Sequence, residues 1–313
     1  MTESVRFTVA AAEAGRLDRV LAARFPGVGR RRWAEMFAAG WIAVDGARAR
    51  KGDRVAAGAE VTLRAPATAS ALAPVPEPDL PLEVLHVDAR LVALCKPPGQ
   101  PSHPLRAGET GSLANALVAR FPECAAIGRD PREGGLCHRL DRGTSGVLLA
   151  ARDMKAYLAV RRAFSAGQVD KTYLALVAGS AQAGESDAPL VQRGKKSVLA
   201  RAGDPAALPA HTSWRLLASA SGASLLEVTA SSGRMHQVRA HLAASGHPLI
   251  GDPLYGGPTM VGGQAIADPF LHAQSIALPH PDGGRFSATA PLPAQRAATL
   301  VTLGCAGAGS VVT

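Results

Sequence analysis

The sequence predicts an α+β protein in two parts. A small α/β module over residues 1–64 precedes a larger domain over residues 82–303, built on a mixed, mainly antiparallel sheet. Three observations carry this reading. Five prolines (Pro66, Pro74, Pro76, Pro78 and Pro81) stand among alanines and mark residues 65–81 as a linker. Proline withholds a backbone donor and favours extended chain. Beyond the linker, strand-like segments are joined by hairpin turns as well as by helices, which argues against clean βαβ alternation. Before it lie two short amphipathic helices and a tight hairpin. Residues 304–313 read as a flexible tail.

In the first module, Leu17, Leu21 and Phe25 recur at helical spacing and predict a helix over residues 16–25. A second helix begins at Arg30-Arg31-Arg32, with Trp33, Met36 and Phe37 on its apolar side, and Gly40 ends it. Trp41-Ile42-Ala43-Val44 then enters a hairpin turn at Asp45-Gly46, a pair that tolerates the positive φ such turns need. A further strand is predicted over residues 55–63. Arg30, Arg31, Arg32, Arg48, Arg50 and Lys51 gather on this small module and suit a phosphate backbone, although a solvated helix face would look the same.

In the larger domain, strands are predicted over residues 82–87 and 91–95, the second ending at the turn Lys96-Pro97-Pro98-Gly99. A helix follows over 112–121. Val147-Leu148-Leu149-Ala150-Ala151 reads as a buried strand, and Asp153 as the cap of a helix running to residue 165. Lys171-Thr172-Tyr173-Leu174-Ala175-Leu176-Val177 is rich in strand formers. Residues 179–210 carry little signal. Paired strands are expected over 211–218 and 224–230, a helix over 234–244, and late strands over 270–278 and 286–290.

The apolar fraction of 47% fits a folded chain, and 34 Lys+Arg against 25 Asp+Glu give a net charge of +9. A basic surface need bind nothing, but nucleic acid is the first partner to consider and an anionic membrane surface the second. Four cysteines form no CxxC pair, so neither a zinc site nor a disulfide framework is expected. No apolar run reaches the roughly 18–20 residues of a membrane span, and no secretory signal opens the chain. The expectation is a cytoplasmic monomer without membrane attachment.

The chemistry centres on one loop, Gly134-Gly135-Leu136-Cys137-His138-Arg139-Leu140-Asp141-Arg142-Gly143-Thr144-Ser145-Gly146. It places a carboxylate, Asp141, among cations just before a buried strand. On its own an Asp-Arg-Gly turn is ordinary. His236, His241 and His247 are the metal candidates, but five residues separate the first two, whereas helical ligand pairs prefer four. Ser145 lacks the G-x-S-x-G elbow of a hydrolase, and no Walker or dinucleotide glycine loop is present. One carboxylate, several arginines and one strand tyrosine remain.

Two resemblances sharpen this. Gly15-Arg16-Leu17-Asp18-Arg19-Val20-Leu21, the Arg30-Arg31 helix start and Trp41-Ile42-Ala43-Val44-Asp45-Gly46 resemble an S4 RNA-binding domain, with Gly29 standing where that family usually carries Ser. The motifs at residues 96–99, 138–146, 171–175, 233–239 and 246–256, with Leu271-His272-Ala273, resemble those of RluA-type pseudouridine synthases and occur in the same order. That resemblance implies isomerisation of specific uridines in RNA, large-subunit ribosomal RNA above transfer RNA, with no cofactor and no metal. It implies Asp141 as the catalytic carboxylate and Arg139 as the residue filling the space of a flipped base. Tyr173 would stack on the uracil, and Arg234 would bind substrate and pair with Asp141. Asp252, in Gly251-Asp252-Pro253, reads as a structural turn. The rival readings are a non-catalytic RNA-binding or assembly factor and a metal-dependent hydrolase using the histidines.

Overall fold

The computed structural model describes residues 4–25, 30–64 and 72–305. The chain divides into two compact units, Met1–Leu72 and Ala73–Thr313.

The first unit contains β1 (Ser4–Thr8), β2 (Gly15–Arg16), α1 (Leu17–Arg24), α2 (Arg30–Ala38), β3 (Ile42–Val44), β4 (Ala47–Arg48), β5 (Arg54–Val55) and β6 (Glu60–Arg64). Its main sheet runs β1-β6-β3-β4, and β2 pairs with β5. Leu17, Leu21, Trp33, Phe37, Ile42 and Val61 form the core between helices and sheet. The β3–β4 hairpin turns through Asp45 at φ 49° and Gly46 at φ 80°, the two positive values of a type I′ turn. The strand expected over 55–63 is two strands, because the chain turns between them at Gly58, φ 86°.

The basic candidates here do not all face outward with free head groups. Arg48 donates from Nη2 to the Ala38 carbonyl oxygen at 2.7 Å, so part of its guanidinium closes the carbonyl end of α2. Arg50 and Lys51 are exposed. Gly29 and the side chains of Arg30, Arg31 and Arg32 lie outside the described residues.

The second unit contains β7 (Glu83–Val87), β8 (Leu91–Lys96), α3 (Leu113–Arg120), β9 (Ser145–Ala151), α4 (Met154–Ser165), β10 (Asp170–Ala178), β11 (Gly184–Ser186), β12 (Leu190–Arg193), β13 (Lys196–Leu199), β14 (Thr212–Ala220), β15 (Ala223–Ala230), α5 (Gln237–Ala244), β16 (Met260–Val261), β17 (Gln264–Ala265), β18 (Leu271–Pro279), β19 (Arg285–Thr289) and α6 (Ala294–Thr302). Nine strands form one sheet in the order β11-β14-β15-β10-β18-β9-β8-β7, with β19 joined to β18. All its pairings are antiparallel except β9 with β18. The sheet is therefore mixed and mainly antiparallel.

Strand β9 is buried on both faces, which is why its sequence is a continuous apolar run rather than an alternation. Val147 and Leu149 pack with Tyr157 and Val160 of α4. Leu148 and Ala150 pack with Leu113 and Leu117 of α3 on the other face. Ser112 and Asp153 cap the two helices, each accepting from the backbone N–H three residues on.

At the β9–β18 junction Gly146 has φ 117°, and a Cβ there would lie 2.1 Å from the Ala273 oxygen. Only glycine lets the two strands approach this closely. Gly146→Ala is expected to destabilise the protein by more than about 3 kcal/mol through backbone strain and steric overlap. Urea denaturation checks this, and an unchanged midpoint would contradict the pairing.

Two boundaries differ from expectation. Residues 65–71 of the expected linker lie outside the described residues, but its second half is no free tether. Asn115 Nδ2 donates to the Val75 oxygen at 2.8 Å, and the Glu77 N–H donates to the Asn115 oxygen at 3.1 Å. Helix α6 was not expected. Its Leu300, with Leu303 and with Cys305 of the expected tail, joins a buried cluster around Leu176, Leu225 and Phe270. Residues 306–313 lie outside the described residues. No helix among the described residues is long and apolar enough to cross a membrane.

Candidate active site

The loop ahead of β9 is held rigidly by groups remote in sequence. Ser102 Oγ donates to the Leu140 oxygen at 2.8 Å and accepts the Leu140 N–H at 3.1 Å. The Thr144 N–H closes a turn on the Asp141 oxygen at 3.0 Å. Two buried cations then collect the carbonyls that follow Asp141. Lys96 Nζ donates to the oxygens of Pro97, Gln100 and Arg142 at 2.8–2.9 Å. Arg296, from α6, donates to the Gly143 and Pro269 oxygens at 2.8 Å, to the Leu271 oxygen at 2.5 Å and to Ser145 Oγ at 2.9 Å. Backbone carbonyls that would otherwise be buried unpaired are thereby satisfied, and the loop's path is fixed.

This frame leaves the Asp141 side chain one-fifth exposed at the floor of a cleft with about 80 Å³ of free space. Arg139, Asp141, Tyr173 and Arg234 all line it, so the four candidates from three separate motifs meet in one place. Arg139 is exposed. Tyr173 projects from β10, and burial, then the Asp141 charge, pushes its phenol up to about 12. The ring is therefore neutral near pH 7.

The ion partner of Asp141 is Arg239, correcting the expected pairing with Arg234. Arg239 Nη1 donates to Asp141 Oδ2 at 3.0 Å. Its Nε and Nη2 donate to Asp252 at 2.7 and 2.8 Å in a two-pronged bond. Arg234 instead donates from Nε to the Pro209 oxygen at 3.0 Å. The reason is where the helix starts. His236 takes a left-handed conformation, φ 53°, so α5 begins at Gln237 and leaves Arg234 in the preceding turn. Gln237 fixes that turn, accepting the Arg234 N–H and Ser232 Oγ, and Lys171 Nζ donates to the Ser232 oxygen.

Asp252, expected as a turn residue, is thus a buried counter-ion. Burial pulls the Arg239 pKa down, but the hydrogen bonds to Asp252 and the charges of both carboxylates outweigh this and hold it above its ordinary value. Asp141 Oδ1 takes no hydrogen bond from the described residues, while Oδ2 is held. The arrangement leaves one carboxylate positioned through Oδ2 and open to a ligand on Oδ1.

The histidines do not converge. His241 contacts Thr212 Oγ1 and the Ala188 oxygen, both at 2.9 Å, through its two ring nitrogens. Among the described residues no three of His, Cys, Asp and Glu come together as metal ligands.

Comparison with known proteins decides the family. A sequence model of the RNA pseudouridylate synthases matches residues 90–244. The chain is 38% identical over 292 residues to an uncharacterized RNA pseudouridine synthase of Chloroflexus aurantiacus, covering 90% of this chain and 87% of that one. The chain belongs to the pseudouridine synthase family. It is 35% identical to the ribosomal large subunit pseudouridine synthase D of Xanthomonas campestris, over 89% of this chain and 86% of the relative. Among solved structures it resembles human RNA pseudouridylate synthase domain containing 4, at TM-score 0.56 and 27% identity over 71% of this chain and 93% of that one. The protein is a pseudouridine synthase, an isomerase that modifies RNA.

Two histidines of this synthase are structural and predict its acid sensitivity. His138 accepts the Leu149 N–H at Nε2, and burial, then the Lys171 charge, pulls its pKa down to about 3. His272 bridges Ser145 Oγ and the Ala290 oxygen, and burial pulls it down to about 4. Both folded values lie below the ordinary 6.5. Between that value and pH 4 the unfolded chain binds protons that the folded chain refuses, so stability falls as pH falls. Above it both states are neutral and the contribution is complete. The Tm is expected to drop from pH 6.5 toward pH 4, with a shallower slope in His272→Asn. A slope unchanged by the substitution would count against the assignment.

Proposed function

We propose that this synthase isomerises uridines in large-subunit ribosomal RNA, with Asp141 acting on the flipped nucleotide. The observation that carries the mechanistic part is the Asp141 carboxylate itself. It sits at the floor of the cleft, with one oxygen held by Arg239 and the other without a hydrogen bond from the described residues. A base must leave its stack to be reached, at a cost of a few kcal/mol. In this reading Arg139, exposed at the rim, fills the vacated space with a planar cation. The neutral Tyr173 ring stacks on the uracil, a contact worth ~1–3 kcal/mol. Arg234 binds the substrate strand from the turn before α5. Asp141 breaks the C1′–N1 bond, the uracil turns within the cleft, and C5 joins C1′.

The choice of ribosomal RNA is supported by relatives such as the ribosomal large subunit pseudouridine synthase D of Xanthomonas campestris. We assign the first unit the role of an S4-like RNA-binding module, supported by its two helices, its β3–β4 hairpin and exposed Arg50 and Lys51. Mapping pseudouridine in total RNA from cells with and without the gene tests the substrate. Sites lost from large-subunit ribosomal RNA support it. Sites lost only from transfer RNA, or from no RNA, overturn it.

A further inference from the structure

The reaction needs a second proton-handling group, and the cleft contains a candidate that the sequence motifs left without a role. Once C5 has joined C1′, that carbon still carries its original hydrogen. The C5–H bond must then break. Its electron pair restores the C5–C6 double bond, the N1–C6 π pair moves onto N1, and N1 takes up a proton. Hydrogen has moved, in net, from C5 to N1. Tyr173 is a poor acceptor, because its phenol is neutral and held near 12.

His236 has the geometry for this step. Among the described residues it is one of three non-glycine residues with positive φ, and the other two, Asp45 and Ser221, lie in the tight hairpin turns between β3 and β4 and between β14 and β15. A left-handed histidine costs about 1–3 kcal/mol and persists only where its surroundings impose it. Its ring is held by Tyr255, through a 3.1 Å contact at Nδ1 and an edge-on ring contact. The Tyr255 hydroxyl donates its only proton to the Ser197 oxygen at 2.9 Å and accepts the Ser197 N–H at 2.9 Å. Its remaining capacity is one lone pair. The 3.1 Å contact with His236 Nδ1 is therefore an Nδ1–H donated to the tyrosine oxygen. That bond fixes the tautomer and leaves the lone pair of the neutral ring on Nε2.

Nε2 lies 3.7 Å from Asp141 Oδ2, too far for a good hydrogen bond, and the residue lines the same cleft. Burial lowers the His236 pKa, Asp141 and Asp252 raise it, and Arg239 and Arg139 lower it, with a net shift downward. The ring is thus neutral near pH 7 and adjacent to a carboxylate able to stabilise an imidazolium.

We propose that His236 Nε2 accepts the C5 proton in the final step and passes it to solvent as N1 is protonated. This rests on the uridine reading above, with Asp141 breaking the glycosidic bond.

The test uses the full-length protein and total RNA from gene-deleted cells grown on [5-³H]uridine or [5-²H]uridine. His236→Gly is the chosen variant, because its φ of 53° suits glycine and the lost ring leaves space. Tritium release by the variant is expected to be at least tenfold slower than wild type. A deuterium isotope effect at C5 at least twofold larger than the wild-type value is expected. Added imidazole should restore part of the rate, a response that a merely structural histidine would not give. Should the glycine variant fold poorly, His236→Gln is read by the same isotope effect on its residual turnover. An unchanged rate, or a slower one with neither isotope effect nor rescue, overturns the proposal. Wild type releasing no tritium from any of the RNA overturns the uridine reading as well, so the two failures are distinguishable.

Discussion

Asp141→Asn is expected to lower pseudouridine formation by at least about 10³-fold, as removal of a central reacting group does in other enzymes. The substitution keeps the side chain's shape and removes only its charge. Structure predicts little else will change. Arg239 retains both hydrogen bonds to Asp252, so its guanidinium stays paired and in place. The loop carbonyls remain bound by Lys96 and Arg296. The Tm should move by only a few degrees, and RNA affinity by less than about threefold, since Arg139, Tyr173 and Arg234 are untouched. Tritium release from 5-labelled uridine in RNA measures turnover. Retained turnover would remove Asp141 from the mechanism. A large loss of RNA affinity would show that its charge acts in binding instead.

What the sequence disclosed was governed by distance along the chain. The Asp45-Gly46 turn and the Asp153 cap were readable because each is decided within a few residues by φ tolerance or by one side-chain oxygen. The apolar run of β9 was readable because burial on both faces leaves no polar positions. The Arg239–Asp141 pair was not, since it joins residues 98 apart and depends on where α5 begins. Helical pattern extended that helix back to residue 234. The left-handed His236 starts it three residues later and exchanges the roles of the two arginines. Helix α6 was hidden because its short sequence, AQRAATLVT, has no cap side chain and few large apolar residues to mark it. Yet it carries Arg296, which reaches Gly143 across 153 residues. Asp252 passed for a turn because the Gly251-Asp252-Pro253 triplet explains itself locally, and nothing nearby shows a buried guanidinium waiting for it. Hairpin β12–β13 lay in a stretch with little apolar pattern, although Ser197 within it positions Tyr255.

The second large effect belongs to that hidden pair. Arg239→Leu would strand the Asp252 carboxylate, whose side chain is 1% exposed and whose only described ion partner is Arg239. Removing one member of a buried pair costs about 3–5 kcal/mol, because the remaining charge keeps its desolvation penalty without its counter-ion. Activity should fall at least about a hundredfold besides, since Asp141 loses the donor that fixes Oδ2. The two consequences can be separated. In Arg239→Leu combined with Asp252→Asn, no unpaired carboxylate stays buried, and much of the lost stability should return. Turnover should not return with it, as Asp141 still has no anchor. Arg234→Leu supplies the contrast: its side chain is bonded to a carbonyl at the exposed rim, so the stability change should be within about 1 kcal/mol. Urea denaturation and single-turnover kinetics measure both quantities. If Arg234→Leu destabilised the fold more than Arg239→Leu, the ion pair would have been assigned to the wrong arginine. If the double variant recovered turnover along with stability, Arg239 would matter to the fold alone, and the Asp141 carboxylate would be held by the loop's backbone rather than by its ion partner.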